Sequence, residues 1–287
     1  MTDENVWRLD IAKSLVDQLS VYNELSGFFV GGSVGRGIAD KFSDLEVCCI
    51  WNEQLSDQRR KEIIEKLEGK RFTEFTTWKS QNAVEDNIHI QDFQVDIWHS
   101  TSEINDKVFS DVLNDFNTDL SKQNLLYTFS NCISLYDRDR FIQRWIERSQ
   151  EYSNEYSKKI VLEHLRFFTN GNAAIHIKRN DLTILYGLIS GLQKRMYLAL
   201  LGLNKIYYPT YKRMDLVLDS LKIKPRGIIK SFQNVYKLSP HEAWNETEIM
   251  MKEVILVVES VFPEIKDLSF FAKIEDQRKV FKPKSYR

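Results

Sequence analysis

Apolar residues recur at two different periods along this chain, and the change from one to the other divides it. Residues 3 to 24 place Val6, Leu9, Leu15, Leu19 and Tyr22 at roughly helical spacing. A short apolar run from Gly27 to Val30 then meets Gly31, Gly32 and Ser33, the pattern of a strand entering a tight turn. Leu45 to Trp51 is a second apolar run, β-like and expected to be buried. Residues 55–69 return to helical spacing through Leu55, Ile63, Ile64 and Leu67. Arg71 to Trp78 and Asp92 to Trp98 alternate and are rich in β-branched or aromatic residues, so both are predicted strands. From about Asp137 the stripes are helical throughout. Phe141, Ile142, Trp145 and Ile146 form one, and Ile160, Val161, His164, Leu165 and Phe168 another. Asn180 is the expected cap of a helix over Leu182 to Leu203, and Ser239-Pro240 with Glu242 marks a further helix start. The predicted layout is α/β first and helix afterwards, with the boundary near residues 135–152.

Composition is that of an ordered globular chain: 287 residues, 43% hydrophobic and 28% charged, enough for two modest domains. Leu182 to Leu203 is the most apolar long stretch, yet Gln193, Lys194 and Arg195 interrupt it, so a packed core helix is expected and not a membrane span. The acidic opening MTDENVW lacks the basic and apolar regions of a secretory signal. Three cysteines, Cys48, Cys49 and Cys132, form neither a disulfide framework nor a zinc spacing, which predicts a cytoplasmic location. The net charge of −1 conceals a split. Residues 1–120 hold 12 Lys and Arg against 23 Asp and Glu, and the remainder holds 28 against 18. Two functionally different halves, or two lobes of complementary charge, both fit that pattern.

The chemistry concentrates between Gly31 and Val47, in GGSVGRGIADKFSDLEV. Glycines after a strand let backbone N–H groups turn toward one point and form an anion-binding nest. Ser33 adds a hydroxyl donor, and a helix starting just after it would add its positive end. Such a turn suits a triphosphate, although other glycine-rich turns look alike. Ile38 stands where a Walker A loop needs lysine. Asp44 and Glu46, two apart on a predicted strand, leave the same face, while Cys48 and Ile50 continue that face into apolar surroundings. Carboxylates held this close repel each other, and a divalent cation such as Mg²⁺ relieves the repulsion. Asp96 lies on the strand FQVDIW, on the face opposite Phe93, Val95 and Ile97. If that strand neighbours the first acidic one, the three acids form one cluster, the arrangement nucleotidyl transfer requires beside a positioned triphosphate.

A Gly-Ser turn followed by Asp-x-Glu and a later strand acid resembles the polymerase-β-type nucleotidyltransferase superfamily. Within it, Gly32 to Arg36, Ser43 to Ile50 and Gln94 to Ile97 are similar to the kanamycin nucleotidyltransferase group, and Ile133 to Asp137 resembles that group's passage into its helical half. The resemblance implies an α+β fold: a catalytic domain over residues 1–135, with a mixed sheet flanked by helices, then a helical-bundle substrate domain over 136–287. It implies that Gly32 and Ser33 hold the triphosphate, that Asp44 and Glu46 hold metal, and that Asp96 is a metal ligand or general base. The group's further carboxylate in the helical half has no counterpart by motif, Glu163 being the nearest acid. The expected activity is Mg²⁺-dependent transfer of a nucleoside monophosphate, AMP from ATP, to a hydroxyl of a small-molecule acceptor, with pyrophosphate leaving. Near-neutral charge and the lack of an RNA-binding module point away from nucleic acid. A non-catalytic nucleotide-binding regulator, and addition of nucleotides to an RNA or protein acceptor, remain as alternatives.

Two basic residues have open roles. Arg36, inside the glycine segment, is a phosphate contact or a surface arginine. Lys212 lies in the aromatic, basic loop YYPTYKR, similar to a Tyr-Pro-x-x-Lys stretch in other nucleotidyltransferase-like helical halves. It is a triphosphate contact or a solvated loop lysine. The basic tail from Lys273 to Arg287 reads as a solvated end or an RNA contact.

Overall fold

A computed structural model describes residues 2–71, 77–79, 83–268, 270 and 274. The chain divides into two compact units, Met1–Glu151 and Tyr152–Arg287. The basic tail lies outside the described residues apart from Ile274, and the predicted Arg71 to Trp78 strand lies partly outside them.

The first unit begins with α1 (Asp3–Leu19), β1 (Leu25–Val30), the single turn α2 (Gly32–Gly35) and β2 (Leu45–Trp51). It continues with α3 (Asp57–Lys66), β3 (Lys70–Arg71), β4 (Thr77–Lys79), β5 (Val84–Ile90) and β6 (Phe93–Thr101). Two helices, α4 (Ser102–Leu113) and α5 (Leu120–Phe129), precede β7 (Ile133–Asp137) and α6 (Phe141–Arg148). The strands form one sheet in the order β3-β5-β6-β2-β1-β7, with β4 paired to β5. Only the central β2–β6 pair is parallel among these ladders, so the sheet is mixed as expected.

Alternation along the strands sends successive side chains to opposite faces. Leu45, Val47, Cys49 and Trp51 of β2 join Val95 and Ile97 of β6 in a core covered by Leu9, Ala12, Leu15 and Leu19 of α1 and Ile63 and Ile64 of α3. The other face carries an aromatic cluster in which Phe29 and Trp145 both pack on Phe129, with ring centroids 4.9 and 5.0 Å away. Gly27 lets α6 approach closely, since a Cβ there would lie 2.8 Å from the end of the Ile142 side chain. These contacts tie β7 and α6 to the first unit, which runs to Glu151, within the boundary region expected near residues 135–152. β7 pairs with β1, and Trp145 and Ile142 of α6 are fully buried with it.

The second unit is helical: α7 (Asn154–Leu165), α8 (Ala173–Arg179), α9 (Leu182–Leu203), α10 (Met214–Ser220), α11 (Ile228–Asn234) and α12 (Pro240–Val261). Helix α9 is its core, and two polar side chains packed against or within it find backbone partners. Ser157 donates to the Gly202 carbonyl at 2.8 Å, while Gln193 donates to the Phe232 carbonyl and accepts from Tyr236. Ser239 starts α12 as predicted, its N–H donating to Glu242 at 3.1 Å. Asn180 does not cap α9. It closes α8 in the left-handed conformation, φ 58°, which asparagine tolerates better than most residues, and Asp181 takes the cap position of α9. Among the described residues no helix is long and apolar enough to cross a membrane.

Candidate active site

The glycine segment is a helical turn that folds back onto β2. Gly31 caps α2 in an extended conformation, and its N–H donates to the Glu46 carbonyl at 3.0 Å. The helix therefore starts at Gly32, two residues earlier than expected, and Gly32 and Ser33 are its first two residues. First-turn N–H groups have no partner inside a helix, which makes them available to an anion. Gly32 has φ +56°, and a Cβ on it would stand 2.6 Å from Glu46 Cδ. The backbone conformation favours glycine here, and a side chain at this position would have to push the Glu46 carboxylate aside. Arg36 folds back on the same turn, its Nε donating to the Gly32 carbonyl at 3.1 Å.

Glu46 and Asp96 are direct partners in the parallel β2–β6 ladder, so their side chains leave the same face of adjacent strands. Asp96 is 8% exposed. Its Oδ1 accepts from Asn87 Nδ2 at 2.7 Å and from Gln94 Nε2 at 3.1 Å. Both donors hold one oxygen, which fixes the carboxylate and leaves Oδ2 for another partner. Asn87 is the cross-strand neighbour of Asp96 on its other side. Neither Asn87 nor Gln94 was expected as a site residue; the Asn87 contact exists only once β5 and β6 lie side by side, whereas Gln94 reaches Asp96 along the same strand.

Asp44 reaches the site from the segment ahead of β2. It precedes β2 by one residue and is half-buried, so strand alternation does not govern it. Among the described residues no three Asp, Glu, His or Cys side chains form a group that could hold a metal ion. The donors present near the Glu46–Asp96 pair are oxygens, the hard ligands that suit Mg²⁺, and one face with two ordered carboxylates fits that ion. Cys48, next on this face, is buried, and burial raises its thiol pKa well above the ordinary value.

Helix α1 supplies the remaining unforeseen groups. Asn5 and Arg8 sit in its buried stripe and bond to the chain between α2 and Asp44. The only trace in the sequence is a polar residue at each of two positions where the helical period calls for an apolar one. Lys212 belongs to the second unit, exposed in the loop before α10, with its N–H on Thr210 Oγ1 at 3.1 Å.

No protein-family model and no curated protein matches the sequence. Among solved structures, the chain is similar to a nucleotidyltransferase-like protein from Exiguobacterium sibiricum 255-15, at 9% identity and a TM-score of 0.44, over 90% of this chain and 79% of that one. It is also similar to the Cid1 poly(U) polymerase with Mg and 3'-dATP bound, at 19% identity and a TM-score of 0.29, over 45% of this chain and 42% of that one. The GLD-2 – GLD-3 non-canonical poly(A) polymerase complex is similar at 19% identity and a TM-score of 0.25, over 45% of this chain and 46% of that one.

Proposed function

We propose that this chain is a Mg²⁺-dependent nucleotidyltransferase that moves a nucleoside monophosphate, AMP from ATP, onto a hydroxyl of a small-molecule acceptor. The observation that carries the reading is the in-register pairing of Glu46 with Asp96, with Gly32 packed against the Glu46 carboxylate. An anion on the first-turn N–H groups of Gly32 and Ser33 would then lie beside two carboxylates, an arrangement that a divalent cation makes favourable. Asp44, Glu46 and Asp96 are the residues assigned to hold Mg²⁺, and Gly32, Ser33, Arg36 and Lys212 those assigned to the triphosphate. The bound ion would neutralise phosphate charge and polarise the phosphorus under attack. The acceptor oxygen bonds to the α-phosphorus, the bond to the bridging oxygen breaks, pyrophosphate leaves, and the acceptor proton passes to Asp96 or water. Positioning and charge neutralisation are most of what this reaction asks of a protein.

The test is pyrophosphate release from ATP, GTP, CTP and UTP with Mg²⁺, against a panel of hydroxylated small molecules and short RNAs with free 3′ hydroxyls. ATP with a small-molecule acceptor is the expected combination. Asp44→Asn, Glu46→Gln and Asp96→Asn should each lower release about 100-fold or more, the scale of losing charge stabilisation worth several kcal/mol. Lys212→Ala should raise KM for ATP several-fold with the fold unchanged, since the side chain is exposed. Release retained in all three carboxylate variants would refute the assignment. Tight Mg²⁺–ATP binding without turnover would favour a regulatory nucleotide binder, and turnover with RNA alone would replace the acceptor class.

A further inference from the structure

From α2 to Asp44 the chain has little apolar anchoring of its own: Val34 of α2 and Ala39 are buried, but Phe42 is 85% exposed. Turn bonds within it, such as Ser43 N–H to the Asp40 carbonyl, are joined by bonds from two polar side chains of α1. Asn5, 0% exposed, donates Nδ2 to the Val34 carbonyl at 2.8 Å and accepts from the Ala39 N–H at 3.0 Å. Arg8, 1% exposed, uses all five of its N–H donors. Nη1 donates to the Glu4 carbonyl and carboxylate, Nη2 to the carbonyls of Ser43 at 2.6 Å and Asp40 at 3.1 Å, and Nε again to Ser43 at 3.1 Å. The guanidinium also packs 4.0 Å from the Trp7 ring. Three of the five bonds thus end on the segment immediately before Asp44.

An arginine buried this deeply carries a desolvation cost that an apolar residue at the same helix position would avoid. What an apolar residue would not provide is a fixed carbonyl at Ser43 and a fixed exit from α2. We infer that Asn5 and Arg8 are positioning residues, holding Gly32, Ser33 and Asp44 at set places beside Glu46 and Asp96. The inference rests on the nucleotidyltransferase reading of that site. Both residues act through the loop and touch neither nucleotide nor metal. Asn5 sets the start of the segment and Arg8 its end, so loss of either loosens the backbone that leads into Asp44.

The experiment uses the full chain and Mn²⁺ as probe, titrated by electron paramagnetic resonance in the presence of ATP, with kcat and KM measured alongside. Asn5→Ala and Arg8→Lys are the variants; lysine keeps the stem and charge but has too few donors, without the planar fork, to make the same bonds. Each should weaken Mn²⁺ binding about tenfold or more, the range seen when outer groups that orient ligands are lost. Each should lower kcat while leaving KM for the acceptor unchanged, and should speed amide exchange in residues 36–44. Leu15→Ala, in the buried stripe of the same helix but without a role in the clamp, should lower the melting temperature and leave Mn²⁺ affinity at the parental value. Parental Mn²⁺ affinity in both Asn5→Ala and Arg8→Lys, with only melting temperature reduced, would overturn the inference. Glu46→Gln separates that failure from failure of the reading beneath it: if this variant binds Mn²⁺ as the parent does, or the parent binds none, both fall.

Discussion

Replacing Asp86 by asparagine tests the physical account of the sheet at its most demanding point. The Asp86 side chain has no solvent exposure, and its Oδ2 accepts from Arg60 Nε at 2.8 Å and lies 3.3 Å from His99 Nε2. His99 Nδ1 accepts the Trp51 indole N–H at 3.0 Å, so Nε2 carries the proton and faces the carboxylate from 3.3 Å. Burial alone would raise the Asp86 pKa. His99 and Arg60 outweigh it and bring the group down to about 2 from 3.8. A folded pKa below the unfolded one means stability that is present above about pH 4 and lost as pH falls toward 2, worth about 2.5 kcal/mol for that shift. Asparagine keeps the shape and removes the charge. Breaking a buried pair costs about 3–5 kcal/mol in general, and here the low end applies. Arg60 retains Asp57 at 2.9 Å and the Leu55 carbonyl at 3.2 Å. The assay is hydrogen exchange of β5 and β6 amides in parent and variant from pH 7 to pH 3, which reports this unit alone. Asp86→Asn should lose about 3 kcal/mol at pH 7, and the gap should narrow as the parent's carboxylate protonates. A loss under about 0.5 kcal/mol, or parallel pH profiles, would refute the network as a source of stability.

Three further outcomes are expected. Asp44→Asn should leave melting without ligand unchanged or raise it, since relief of repulsion is worth on the order of 1–2 kcal/mol, and should lose the stabilisation that Mg²⁺–ATP gives the parent; equal ligand shifts in both would make Asp44 a surface acid. Gly32→Ala should cost about 1–2 kcal/mol for its left-handed backbone and also weaken Mn²⁺ binding by displacing the Glu46 carboxylate, whereas Gly37→Ala, at φ +72° with open space around it, should show only the backbone cost. A fragment of residues 1–151 should melt cooperatively and one of residues 1–135 should not, because removing Ile142 and Trp145 exposes core worth about 1.5–3 kcal/mol per side chain; scanning calorimetry decides.

What the sequence determined by itself was local. The apolar run Leu45–Trp51 has the same bounds as β2, and Ser239, Pro240 and Glu242 start α12 through bonds spanning three residues. The period change that separates strands from helices was also legible, because alternation and helical spacing are properties of near neighbours. Asn180 shows the limit even at short range, since one residue can close a helix or open the next, and the surrounding backbone chooses. The site depended on contacts between distant parts of the chain. Asp-x-Glu and the later Asp96 could be read as acids on strands, but only the parallel β2–β6 register places Glu46 directly beside Asp96. The same ladders put Asn87 against Asp96, and only helix packing brings Asn5 and Arg8 onto the segment before Asp44. Register and packing depend on burial summed over the whole sheet and on closing long loops, and neither quantity is written in any short window of residues.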